Sequence, residues 1–243
     1  MFLSLLLSCV PASTHKMLIE QNQMLQADAA ASRAELATCQ DNLARVQGAH
    51  RSQAQADAKA EEEANALYAK ANELMGQGDV AGAQAALDEL QKNYGDTRVA
   101  SRANRLAKEM AVIGMTAPPV EVEYWFQGNV DVNSGTTLVV FWESWCPHCR
   151  RELPNLDETY ERLGPEGLQV VGFTKLTKSS TDEAVREFIA EHDVGFPIAK
   201  ETGTLTTAYS VSGIPAAAVV KDGVVVWRGH PARLSDETLR GWL

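Results

Sequence analysis

From Leu18 the chain alternates spacings of four and three between mostly apolar or small residues: Leu18, Asn22, Leu25, Ala29, Ser32, Leu36, Cys39, Leu43, Val46 and His50. Leu18, Leu25, Ser32, Cys39 and Val46 take heptad position d, and the other five take position a. A seam sustained over four heptads predicts a coiled coil, spanning a stalk of residues 14–63. Asn22 at an a position costs stability and fixes register. Cys39 would face its own copy in a parallel pair, within reach of an interchain disulfide, or serve there as a small apolar filler. Over residues 64–113 the spacing of Leu67, Ala71 and Leu74, then Gly78-Asp79, then Ala83, Leu87 and Leu90, predicts a helical hairpin. Tyr94–Thr97 ends it, and an amphipathic helix follows over Arg98–Met110. Met115-Thr116-Ala117-Pro118-Pro119 cannot continue a helix.

Beyond that boundary, over residues 114–243, the pattern changes. Leu138–Trp142 is a continuous apolar run, as expected of a buried central strand. Gln169–Phe173 predicts a second central strand, and Phe196–Ala199 a short third one. Ala216–Val220 and Val224–Gly229 form a hairpin about an Asp222-Gly223 turn. Helices are expected over Arg150–Leu163, from a Ser180-x-x-Glu183 capping box to about Glu191, and from Ser235 to Leu243. The prediction is an α/β domain preceded by an all-α region.

Composition sharpens this outline. The chain has 243 residues, with 22 Lys+Arg against 32 Asp+Glu, and most of its net charge of −10 falls after Gly114. An acidic chain lacks the basic stripe a nucleic-acid partner requires. No stretch reaches the roughly 18 apolar residues of a spanning helix. Residues 1–13 are short, apolar and end in small residues, like the core of a secretory signal. Leu6-Leu7-Ser8-Cys9 resembles a bacterial lipobox, which would make Cys9 a lipidated N-terminus. A plain signal cut near Ala12 and a misplaced start codon are the alternatives. The hairpin resembles a single tetratricopeptide unit, too few for an independent solenoid, and so is expected to be a packed adaptor.

The chemistry lies in Trp142-Glu143-Ser144-Trp145-Cys146-Pro147-His148-Cys149-Arg150. A Cys-x-x-Cys pair is half of a zinc site, but no second Cys pair or His-x-His spacing follows to complete one. Haem attachment would need His where Arg150 stands. Dithiol redox chemistry remains. A strand end delivers Cys146 to the first turn of a helix, where free N–H groups and the dipole stabilise a thiolate. Pro147 suits that first turn because it has no N–H to satisfy. Cys146 is thus expected as the exposed nucleophile and Cys149 as the resolving thiol, cycling through a Cys146–Cys149 disulfide. A cationic His148 between them would stabilise the thiolate further and make the disulfide more oxidising.

Phe141-Trp142-x-x-Trp145-Cys146-Pro147-x-Cys149 resembles the active-site strand and turn of the thioredoxin superfamily. Arg150-Arg151-Glu152-Leu153-Pro154 resembles its TlpA/ResA-like branch of extracytoplasmic thiol-disulfide oxidoreductases. Val211-Ser212-Gly213-Ile214-Pro215 is similar to the family's cis-proline loop. The resemblance implies a thioredoxin-like fold over 114–243, with Pro215 cis and facing Cys146. It also implies that Gly213, Ile214 and Pro215 position a substrate backbone, with Trp145 lining the site. Thioredoxin carries a buried Asp where this chain has Val140, so the resemblance moves proton handling to Glu152. Ala216 and Ala217 replace the usual hydroxyl residues, and the Pro-His dipeptide resembles that of the DsbA oxidants.

The expected function is therefore disulfide reduction in protein substrates of the cell envelope. Metal or organic cofactor is not required, a membrane redox partner resets the dithiol, and the stalk makes a homo-oligomer. An oxidase or isomerase of the same fold and a non-enzymatic envelope scaffold are the alternatives. Location is expected to be periplasmic, with a lipid anchor at Cys9.

Overall fold

The computed structural model describes residues 12–243. The signal, lipobox and Cys9 readings lie outside those residues. The chain divides into two units after Ala58, although one uninterrupted helix, α1 (Ala12–Gly76), contributes to both. In the first unit Leu25 and Leu36, on the heptad seam of α1, are 62% and 58% exposed. Among the described residues no helix is long and apolar enough to cross a membrane.

The second unit, Lys59–Leu243, starts with the end of α1, so the stalk segment and the first hairpin helix are one element. Two short helices follow, α2 (Val80–Tyr94) and α3 (Arg98–Met110). Asp79 caps α2 by accepting from Gly82 N, and Thr97 caps α3 by accepting from Ala100 N. Apolar residues on all three helices, among them Ala71, Met75, Leu87, Leu90 and Leu106, are buried in one core.

Six strands follow: β1 (Val122–Gln127), β2 (Thr136–Phe141), β3 (Leu168–Thr174), β4 (Ile198–Glu201), β5 (Ala216–Lys221) and β6 (Val224–Gly229). Their order in the sheet is β1-β4-β3-β2-β5-β6. β2 pairs in parallel with β3 and antiparallel with β5, Leu138 facing Val170 on one side and Val219 on the other. Every residue of β2 is buried, as a strand enclosed on both edges and both faces must be. Successive β2 side chains enter opposite cores. Leu138 and Val140 join the core that holds α4 (Pro147–Leu163) and the helical hairpin. Val139 and Phe141 join the core of the other face with Phe173, Leu205 and Tyr209. Gly172 in β3 makes room for this packing, because a Cβ there would stand 3.0 Å from Trp142 Nε1 and 3.3 Å from the Phe196 ring.

The Asp222-Gly223 turn forms as expected, with φ of +48° and +78°, the conformation a two-residue hairpin requires. The segment after α3 lies along β6: Gly114 N donates to Val225 O and Ala117 N to Gly223 O. The remaining helices are α5 (Asp182–His192), α6 (Thr204–Ala208) and α7 (Asp236–Arg240). Two expectations need correction here. The cap of α5 is Thr181, whose Oγ1 accepts from Ala184 N at 3.1 Å. Ser180 is instead buried against Ser144, with the two Oγ atoms 2.7 Å apart, so it is unavailable for capping. Ser235 does cap α7, but the helix ends at Arg240 and does not reach Leu243.

Candidate active site

β2 stops at Phe141, and Cys146 occupies the N-cap position of α4 with Pro147 in the first turn. Cys146 N donates to Glu143 O at 3.1 Å, which closes the connecting turn. Both cysteines are thiols in this structure. Cys149 is fully buried, and its burial pushes the thiol well above the ordinary range. The neighbouring Cys146 sulfur and Glu143 charge add to that rise, and a backbone hydrogen bond at Glu143 opposes it. Cys146, expected to be exposed, is only 5% exposed. Its Sγ lies 3.9 Å from the carbonyl oxygen of Ile214, in the loop before β5. The Ile214–Pro215 bond is cis. Pro215 is buried, Ile214 partly so, and Gly213 is exposed.

His148 is exposed and its Nδ1 lies 2.8 Å from Arg151 Nη2. A guanidinium can only donate, so Nδ1 is the acceptor of this contact. Glu152 is one turn beyond Cys149, on the same side of α4. It is half-buried, and burial raises its pKa against the opposing pull of Arg151. Trp145 is partly exposed. Its Nε1 donates to Thr177 Oγ1 at 3.2 Å, and Lys178 Nζ stands 3.6 Å from its ring centre.

Sequence reasoning passed over Glu143. It is 3% exposed, and its carboxylate accepts from Thr174 Oγ1 at 3.1 Å, Thr177 Oγ1 at 3.0 Å, Thr177 N at 3.1 Å and Lys175 N at 3.3 Å. The strand-to-helix turn carrying Cys146 is thereby tied to the end of β3. The available signal was an acidic residue directly after the apolar run Leu138–Trp142. Such a residue, if buried, must find donors. Val140, at the position of thioredoxin's buried Asp, packs in the core with no polar role.

A buried thiol beneath a nucleophilic cysteine at a helix start, faced by a cis-proline loop, is equipped for thiol-disulfide exchange. Comparison with known proteins agrees. Residues 113–228 match the model of the AhpC/TSA family. Thiol-disulfide oxidoreductase ResA of Bacillus cereus is 32% identical over 124 residues, which are 49% of this chain and 70% of the relative. The chain belongs to the ResA family of thiol-disulfide oxidoreductases. A second relative, sporulation thiol-disulfide oxidoreductase A of Bacillus subtilis, is 25% identical over 107 residues, 44% of this chain and 65% of its own. The crystal structure of StoA from Bacillus subtilis aligns with a TM-score of 0.44 at 24% identity, covering 52% of this chain and 98% of that one. Membership makes the chain a thioredoxin-like redox enzyme, and the matched region contains Cys146, Cys149 and Pro215. It also contains the α4 start and the β5 entrance that bring these residues together.

Proposed function

We propose that this protein reduces disulfides in protein substrates of the cell envelope. The Cys146 thiolate attacks one sulfur of a substrate disulfide, forming a mixed disulfide and expelling the other sulfur as a thiolate. Cys149 then attacks Cys146 Sγ, which releases the second substrate thiolate and leaves a Cys146–Cys149 disulfide. Two electrons pass to the substrate, whose thiolates take up the protons lost by the two cysteines. Glu152, half-buried and with a raised pKa, is suited to accept the proton of the buried Cys149. Ile214 and Pro215 present the backbone against which a substrate strand lies, with Gly213 and Trp145 at its margins. A membrane redox partner returns electrons to the dithiol.

The contact between His148 Nδ1 and Arg151 carries the choice of direction. Strong oxidants of this fold owe their potential to a stabilised reduced form. With Nδ1 engaged by Arg151, that nitrogen donates nothing to Cys146, so the reduced dithiol gains no such stabilisation through it. The reduction potential, measured by equilibration with glutathione, is therefore expected near about −270 mV. A value near about −120 mV would make the protein an oxidase.

The heptad seam of α1 further supports self-association through the stalk, and the lipobox-like segment supports an extracytoplasmic, lipid-anchored location at Cys9. Leu18, Leu25, Leu36, Leu43 and Val46, all on the seam, are among the exposed large apolar residues. A second copy of the same helix would bury them in register. Light scattering at micromolar concentration is expected to give at least twice the mass of one chain. L25K/L36K should give a monomer with intact redox activity. A monomeric wild-type protein would remove this part of the reading.

A further inference from the structure

Beside the cis-proline loop opens a cleft of about 290 Å³, lined by Ser212–Ala216 of that loop, by α3 and by the end of β6. Its charged lining is unbalanced. Arg102, Arg105, Arg228 and Arg233 contribute four guanidinium groups, and Glu109 the single carboxylate. Glu109 is already engaged, accepting from Ser212 Oγ at 2.6 Å. Arg228 is 1% exposed. Its Nε donates to Tyr209 O at 2.9 Å, and its Nη1 to Gly229 O at 3.0 Å and Ala217 O at 3.3 Å. Every one of these acceptors is a neutral carbonyl, and Nη2 is buried with no hydrogen-bond partner among the described residues.

A buried donor on a charged group left without an acceptor is costly. Arginine remains protonated in such a setting, so the charge stays in place. In a chain whose net charge is −10, four arginines around one cleft are a local reversal of sign. The cleft is also contiguous with the redox centre, because Ile214 lines it and places its carbonyl 3.9 Å from Cys146 Sγ.

We propose that this cleft is a subsite for an acidic side chain of the polypeptide substrate, a carboxylate close in sequence to the cysteine that meets Cys146. A carboxylate presents two oxygens with a geometry that matches a guanidinium. It would bring its charge to a cleft that the buried Arg228 lines and that Arg105 and Arg102 flank at the rim. The helical hairpin thereby acquires a role in selectivity, since α3 supplies the rim arginines. The inference rests on the reductase reading given above and deepens it.

The test uses two peptides with an intramolecular disulfide, acetylated and amidated so that a side chain carries the only carboxylate. They differ by Glu or Gln beside the attacked cysteine. The reduced full-length protein is mixed with each, and its oxidation is followed by acid quench and thiol alkylation. The Glu peptide is expected to react about tenfold faster, as one charge-assisted hydrogen bond allows. In R102Q/R105Q, both exposed positions of α3, that advantage should fall to about twofold as the rim charge is lost. Equal rates for the two peptides in the wild type overturn the subsite, while leaving the reductase reading intact. An undiminished preference in R102Q/R105Q overturns its placement in this cleft. Reduction of neither peptide, nor of neutral hydroxyethyl disulfide, overturns the reductase reading and the subsite with it.

Discussion

Cys149→Ser is expected to convert the protein from a turnover catalyst into a trap that stays covalently attached to its substrate. Cys146 keeps its place at the start of α4 and can still attack a substrate disulfide. Without a thiol beneath it, the mixed disulfide has no intramolecular route to resolution. Cys146→Ser removes the nucleophile itself, and disulfide reduction should fall by more than about 10³-fold with no adduct. The measurement is insulin reduction by each variant, followed by non-reducing electrophoresis and mass spectrometry of the adduct. The pair separates an enzyme from a scaffold, because a scaffold would bind partners identically with either cysteine replaced. The environment of Cys149 sets a pH dependence for the second step. Burial holds its pKa well above the ordinary value, so at neutral pH nearly all of it is thiol. Release of product from the wild-type mixed disulfide should therefore accelerate as pH rises through the neutral and mildly alkaline range. Absence of that acceleration would mean that attack by Cys146 limits the rate.

Much of this site was legible because its chemistry is local in sequence. A strand end, a proline at the first helical position and two thiols one turn apart define the dithiol without knowledge of the tertiary structure. The cis-proline loop was legible only through resemblance, since nothing within Ser212–Pro215 announces a partner some seventy positions earlier. The residues that escaped are those whose role depends on who packs against them. Glu143 reads as the polar end of a strand until Thr174 and Thr177 supply its donors. Ser180 fits a capping box by spacing, yet the chain buries it against Ser144 and leaves the cap to Thr181. Arg228 follows Trp227 and a run of three valines on β6, where nothing in the sequence says that it meets only carbonyls. Hydrophobic spacing also gave the hairpin helices correctly while remaining silent about what covers them.

What covers them is the sheet, and Trp227 is the residue that joins the two. It is fully buried in the core shared by α1, α2, α3 and the sheet. From β6 its Nε1 donates to Met75 O at 2.7 Å, close to the C-terminal end of α1, where a carbonyl has no partner within the helix. Thr238 Oγ1 donates to Gly76 O at 2.9 Å and secures the same helix end. Trp227→Ala would remove a large buried ring and leave the Met75 carbonyl without this donor. The expected loss is about 3–5 kcal/mol, comparable with the whole stability of many domains. Urea unfolding of the wild type should show one transition for the second unit, with loss of helix signal beyond that of the stalk coinciding with loss of tryptophan fluorescence. The variant should unfold at much lower urea, and its hairpin and sheet should still melt together. If helix signal beyond that of the stalk instead persisted after the sheet had unfolded, the hairpin would be an independent module. The α3 arginines would then be held beside the redox site by something other than this core. A single, strongly shifted transition would tie the architecture of the hairpin to the selectivity proposed for the cleft.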